Sequence, residues 1–131
     1  MTNTSLLVAR ILLGLLFLLA GLNKLGDVSG FGAYMASGGI PAFLAWPVVL
    51  FEILAGLALI AGLQTRITAL ALAAFCVLSG VLYHFDLGDQ MQVTQLLKNL
   101  ALAGGYIALA IAGPGALSVD GRMGKANPLP A

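Results

Sequence analysis

Residues 41–63, PAFLAWPVVLFEILAGLALIAGL, form an apolar run with one acidic residue, Glu52, near its middle. At ~1.5 Å of rise per residue a helix of this run is about 34 Å long, enough to cross a hydrocarbon core of roughly 30 Å. A carboxylate at that depth is costly unless it has partners. The run therefore predicts a membrane-spanning helix. Glu52 is either a functional acid with a charged partner or a protonated acid that hydrogen-bonds a neighbouring helix.

The composition excludes several classes of protein. The chain has 131 residues, of which 60% are apolar and 8% are charged, whereas about a quarter of the residues of a soluble domain are charged. A net charge of +1 offers no basic face for nucleic acid. The single cysteine, Cys76, excludes an internal disulfide and a CxxC redox pair. These values predict an integral membrane protein in contact with the lipid bilayer.

The remaining apolar runs predict an all-α bundle of four transmembrane helices in a single domain, 1–131. The spans are expected at about 6–25, 42–63, 67–85 and 93–112, followed by a polar, Gly/Pro-rich tail at 113–131. Pro47 is expected to kink the second span about one turn before Glu52.

A short helix is expected in the connection between the first two spans, residues 26–40. Phe31, Tyr34 and Met35 have helical spacing, Ser29 is the candidate N-cap, and the glycines at 38–39 would end the helix. The aromatic residues favour a helix that lies at the membrane interface. A lid over a pocket between the spans is the alternative.

Two spans carry stripes that predict which face turns inward. The first stripe consists of Arg10, Gly14, Phe17, Gly21 and Lys24; the second consists of Lys98, Ala101, Gly105, Ala108 and Ala112. Both have helical spacing, and both combine small residues with charges, which pack poorly against lipid and well against another helix. We therefore expect both stripes to face the bundle interior.

The cations indicate an orientation. Four spans place both termini on one side, together with Arg10, Arg66, Arg122 and Lys125, while Lys24 and Lys98 lie opposite. The positive-inside rule then predicts that both termini are cytoplasmic.

Polar residues near the outer ends of the spans predict a site. Side chains lean toward the N-terminus of their own helix, which turns Lys24 and His84 inward and Glu52 up toward them. Glu52, Lys24 and His84 are the candidate catalytic residues. The candidate pocket residues around them are Asn23, Lys98, Asn99, Tyr83 and Phe85. We expect no metal site, because a solvated acidic loop explains His84, Asp86 and Asp89 better than a weak cation site does.

The same residues resemble a known family. The glycine-punctuated first helix that ends in Lys24, the acid Glu52, the pair Lys98-Asn99 and the GPGALSVD stretch at 113–120 are similar to the DoxX family of small bacterial inner-membrane proteins. The likeness covers roughly residues 6–122. It implies a multi-pass, four-helix protein of the inner membrane and, more loosely, a component of an oxidoreductase.

The resemblance implies that any electron chemistry uses a bound quinone or a redox partner protein, since the chain has no flavin or nicotinamide fingerprint. The first hypothesis is a quinone-associated redox component, in which His84 or Lys24 donates hydrogen bonds, Glu52 carries protons, and Tyr83 or Phe85 stacks on the ring. The second is a non-enzymatic assembly or binding subunit for a partner protein. The third is a small-molecule transporter, for which four short helices offer little room unless the protein forms a homo-oligomer.

Overall fold

The computed structural model describes residues 2–130, which fold into helices and connecting turns. The helices are α1 (Thr2–Lys24), α2 (Val28–Ser37), α3 (Ala45–Ala61), α4 (Thr65–Tyr83), α5 (Gln90–Ala112) and α6 (Val119–Arg122), and a 3₁₀ turn at Ala42–Leu44 leads into α3. Within residues 2–130, four segments are long and apolar enough to cross a membrane: α1, Ala42–Ala61, α4 and α5. The prediction of an all-α bundle with four spans and a short helix between the first two is confirmed.

The outer surface of the bundle is apolar. Leu12, Leu54 and Ile67 are 64%, 63% and 69% exposed. Lipid tails are as apolar as leucine, so such a surface is stable in a bilayer. This outward face is therefore the lipid-contacting surface.

The spans form two closely packed pairs. α1 packs along α3 and α4 along α5, while the two pairs contact each other less extensively. Glycines allow the first pairing, since a Cβ added at Gly56 would lie 2.6 Å from Gly14 O and 2.6 Å from Leu18 N. The buried residues of α1 are Arg10, Gly14, Phe17 and Gly21, as its stripe predicts.

The predicted inward stripe of α5 is wrong. Lys98, Ala101 and Ala108 are exposed, and the buried residues of this helix are Leu96, Ala103, Tyr106, Leu109 and Ala110. Periodicity identifies a face but not its direction, because small apolar residues are equally stable against lipid and against protein. Tyr106 is the large side chain of α5 that fills the core. Its hydroxyl donates to Leu13 O at 2.8 Å.

Two local predictions around α2 and α3 also change. The cap of α2 is Asp27, whose carboxylate accepts from Gly30 N at 2.8 Å, and not Ser29. Pro47 lies in the first turn of α3, where a missing N–H breaks no helical hydrogen bond. The helix interior around Glu52 therefore contains no proline.

Arg10 joins three parts of the chain at the end of the bundle where the termini lie. It is fully buried. Its Nε donates to Pro114 O at 3.0 Å, its Nη1 to Leu59 O at 3.1 Å and Ile60 O at 2.9 Å, and its Nη2 to Leu117 O. The guanidinium thus satisfies carbonyls at the end of α3 and in the segment after α5.

Asp120 fixes the same segment to the start of α4. Its carboxylate accepts from Gln64 N at 2.9 Å and from Thr65 N at 2.8 Å. Burial alone would raise the pKa of Asp120, but these backbone donors, with Lys125 nearby, hold the pKa below its usual value. The segment after α5 is therefore attached to the start of α4 as well as to the end of α3.

Candidate functional site

An ion pair joins α1 to α3 at the end of the bundle opposite the termini. Lys24 Nζ lies 3.0 Å from Glu52 Oε1 and 2.9 Å from Oε2. Gly21 permits this approach, because a Cβ there would lie 2.6 Å from Ile53 Cγ1 and 3.2 Å from Glu52 Cβ. The Glu52 side chain is 4% exposed and that of Lys24 is 27% exposed. The carboxylate is therefore buried behind the ammonium group.

The ammonium group of Lys24 keeps donor capacity for a ligand. A lysine has three N–H donors, and two of them are directed at the Glu52 oxygens. The group also lies 5.0 Å from the centroid of the Phe31 ring, a cation–π distance. Within residues 2–130 the third N–H of Lys24 has no protein acceptor, so it can donate to a carbonyl oxygen of a ligand placed beside it.

Lys24 faces a cavity of about 500 Å³ between the two helix pairs, here called the central cavity. Its lining is mainly apolar and aromatic, with a few polar groups. The lining residues are Leu16, Phe17, Ala20, Lys24, Phe31, Tyr34, Met35, Ile40, Val48, Phe75, Cys76, Leu78, Ser79, Leu82, Tyr83, His84, Gln95, Asn99 and Leu102. Glu52 is not in this set, so its influence on the cavity acts through Lys24.

α2 lies over one end of the central cavity and is attached to α4. Tyr83 OH donates to Met35 O at 2.8 Å, and the Tyr34 and Tyr83 rings stack with centroids 5.0 Å apart. A Cβ at Gly38 would lie only 2.3 Å from Tyr83 Cε1. The aromatic face of α2 therefore points into the cavity, an arrangement that fits the lid alternative.

The structure brings some of the predicted site residues together and separates others. Tyr83, His84 and Asn99 line the central cavity with Lys24. His84 does not pair with Glu52; its Nδ1 donates to Gln92 Oε1 at 2.7 Å. This bond anchors the end of α4 to the start of α5.

The other predicted pocket residues lie outside the central cavity. Asn23 is exposed on α1, about 100° around the helix from Lys24. Phe85 is exposed because α4 ends at Tyr83, which leaves residue 85 in the loop. Lys98 lines a neighbouring groove on the outer surface.

Several polar or aromatic lining residues were not among the predicted site residues, and we consider three of them, Phe75, Ser79 and Gln95. Helical spacing contained a signal for two of them. Ser79 precedes Tyr83 by four residues and Gln95 precedes Asn99 by four, so each shares a face with a predicted residue. Phe75 had no such signal, because an aromatic residue in a membrane span most often faces lipid or core.

The described residues, 2–130, contain no cluster of three His, Cys, Asp or Glu side chains that could hold a metal ion. His84, Asp86 and Asp89 instead make hydrogen bonds within the protein. Asp86 accepts from Gly88 N at 3.0 Å and Asp89 accepts from Met91 N at 2.9 Å, so both carboxylates organise the turn that leads into α5.

Comparison with known proteins gives the family. The DoxX family model matches residues 5–85, which include Lys24, Glu52 and His84. The chain belongs to the DoxX family. With its four apolar spans, it is an integral inner-membrane protein of that family. No solved structure matches the chain.

The chain is also similar to three curated proteins. The inner membrane protein YqjF of Escherichia coli (strain K12) is 40% identical over 123 residues, 94% of this chain and 95% of that protein. YphA, another inner membrane protein of that strain, is 35% identical over 89% of each chain. A Bacillus subtilis (strain 168) protein named "Putative oxidoreductase CatD" is 31% identical over 67 residues, 51% of this chain and 50% of that one.

Proposed function

We propose that this DoxX protein binds the head group of a membrane quinone in the central cavity and serves a membrane redox system. The observation that carries the proposal is the position of Lys24. Its ammonium group is held by both oxygens of Glu52 and is directed at an aromatic-lined cavity within the apolar part of the bundle. A permanent donor in an apolar cavity suits a ligand that offers carbonyl oxygens on a flat apolar ring.

The size and chemistry of the central cavity fit a quinone head group. About 500 Å³ lies within the roughly 300–1,000 Å³ typical of small-molecule sites. A quinone presents only acceptors, and Lys24, Gln95 and Asn99 supply donors from two different helices. The rings of Phe31 and Tyr34 on α2 and of Tyr83 on α4 line the cavity and offer flat apolar surfaces against which a ring can stack.

Lys24, Glu52 and His84 have different roles in the proposed binding of a quinone. Lys24 donates to a ring carbonyl. Glu52 is a positioning residue, because both of its oxygens hold the ammonium group of Lys24 in place. His84 Nδ1 donates to Gln92, which leaves Nε2 as a hydrogen-bond acceptor at the α4 end of the cavity. A bound quinone would supply the capacity to accept electrons, and a partner protein would deliver them.

The test compares purified wild type with Glu52→Gln, Lys24→Gln and the double variant Lys24→Gln/Glu52→Gln. Each protein is purified from native membranes, and the quinone that it retains is quantified by mass spectrometry of its lipid extract. We expect wild type to retain quinone. Each single variant should bind quinone about tenfold more weakly or worse, because a charged hydrogen bond is removed, and should therefore retain less of it.

The double variant separates binding from folding. Removing one partner leaves a buried group unsatisfied, whereas replacing both can be nearly neutral for stability. We therefore expect the double variant to regain much of the thermal stability that the single variants lose, but not the quinone. A double variant that retains quinone like wild type would contradict the proposal, and so would a wild type that neither contains quinone nor binds added quinone.

A second candidate function is an assembly subunit that holds a partner protein in the membrane. The observation in its favour is the outward face of α5, where Ala101 and Ala108 are exposed and a Cβ at Gly104 would meet nothing within 4 Å. Small residues on a lipid-facing helix allow another helix to approach closely. In the experiment above, a partner that co-purifies with all four proteins, without any quinone, would favour this function.

A further inference from the structure

A groove of about 600 Å³ lies between α1 and α5 on the outer surface of the bundle, beside the central cavity. Its lining residues are Leu13, Leu16, Gln95, Lys98, Asn99, Ala101 and Leu102. We call it the α1–α5 groove. The groove and the central cavity adjoin each other, because they share four lining residues: Leu16, Gln95, Asn99 and Leu102.

The groove exists because α1 and α5 belong to different helix pairs and make few contacts. Small residues of α5 face α1 along this seam. A Cβ added at Gly105 would lie no closer than 3.7 Å to its nearest neighbour, Leu13 Cδ2, and Ala101 is exposed. The two helices therefore do not interdigitate here, and the space between them opens toward lipid.

We propose that the α1–α5 groove is a lateral opening through which the apolar tail of the cavity ligand extends into the bilayer. The inference rests on the proposed function and specifies its substrate class: a quinone with a long alkyl or prenyl tail, and not a small water-soluble quinone. Two observations support it. The groove adjoins the cavity through four shared lining residues, and at the other end of the cavity Tyr83 contacts α2 through its hydroxyl and its ring.

Filling the groove should exclude the tail and spare the head group. Ala101 lines the groove but not the central cavity, so Ala101→Phe narrows the opening without touching Lys24 or the aromatic lining. Ala108 is a matched control, because it is an exposed alanine seven residues later on the same face of α5 and lines neither space.

The experiment measures binding of two probes to full-length protein in one detergent: a benzoquinone with a decyl tail, and the same head group with a methyl group in its place. Wild type should bind the decyl probe more tightly than the methyl probe, because the tail buries apolar surface in the groove. Ala108→Phe should match wild type with each probe. Ala101→Phe should bind the methyl probe like wild type and the decyl probe about tenfold more weakly or worse. If Ala101→Phe is not recovered in folded form, Ala101→Leu is the smaller step and should show the same selectivity.

Each other result overturns a defined part of the inference. If Ala101→Phe binds both probes like wild type, the groove is not the path of the tail, while the proposed function stands. If it weakens both probes equally, residue 101 acts on the cavity as a whole and the inference fails. If wild type binds neither probe, the proposed function itself fails, and the inference falls with it.

Discussion

Arg10→Met is expected to lower the free energy of unfolding by about 3–5 kcal/mol, the range seen when one partner of a buried charged network is removed. Methionine retains part of the apolar stem but has no N–H donors. The carbonyls of Leu59, Ile60, Pro114 and Leu117 then lose their shared donor at a position that is fully buried. The segment after α5 should detach from the end of α3 as a result.

The measurement is reversible unfolding of the purified protein in mixed micelles with increasing denaturing detergent. Arg122→Met is the control, because Arg122 is an exposed arginine at the same end of the bundle, and we expect it to unfold within about 0.5 kcal/mol of wild type. Equal stability of Arg10→Met and wild type would contradict the role of Arg10 as the centre of that network.

Gly56→Ala is expected to have the second largest effect, a loss of about 1–3 kcal/mol from overpacking. The added Cβ would lie 2.6 Å from two backbone atoms, Gly14 O and Leu18 N, and backbone cannot move aside as a flexible side chain can. α1 and α3 must separate. Since Lys24 and Glu52 join these two helices, the variant should also retain less quinone.

Gly104→Ala is the control for this substitution, since a Cβ there meets nothing within 4 Å. Alanine is the better helix former by up to about 1 kcal/mol, so this variant should be at least as stable as wild type. The same unfolding assay serves both glycines. A Gly56→Ala protein as stable as Gly104→Ala would show that the α1–α3 contact is looser than the structure has it.

The features that sequence predicts well are those that hydrophobic length and the cost of buried charge determine. A run such as residues 41–63 must be a span, and an acid inside it must have a partner, so the spans and the proximity of Lys24 to Glu52 could be expected. The stripe of α1 could be assigned to the interior because Arg10 and Lys24 are charged.

The direction of the α5 stripe could not be predicted in the same way. It contains a single charge, Lys98, about two turns from the start of the helix, and a long side chain there can extend toward the interface from either face. Without a cost that separates lipid from protein contact, the spacing of Ala101, Gly105 and Ala108 is compatible with both directions. The groove beside α5 follows from this outward direction and could not be predicted from the sequence for the same reason.

The role of the C-terminal segment was also beyond sequence reasoning. Arg10 lies 104 residues from Pro114, and Asp120 lies 55 residues from Thr65. Such pairings depend on where the helix ends meet in space. A Gly/Pro-rich tail gives no periodic pattern from which those contacts could be derived.

Photolabelling tests the central claim, that the central cavity holds a quinone head group beside Lys24, most directly. The probe is an azido-benzoquinone with a decyl tail, added to the purified protein and mapped by peptide mass spectrometry. We predict saturable labelling of cavity residues such as Tyr34, Met35 and Tyr83, suppressed by excess unlabelled quinone and reduced in Lys24→Gln/Glu52→Gln. Labelling that does not saturate, is spread over lipid-facing leucines such as Leu12 and Leu54, and is unchanged in the double variant would contradict the claim.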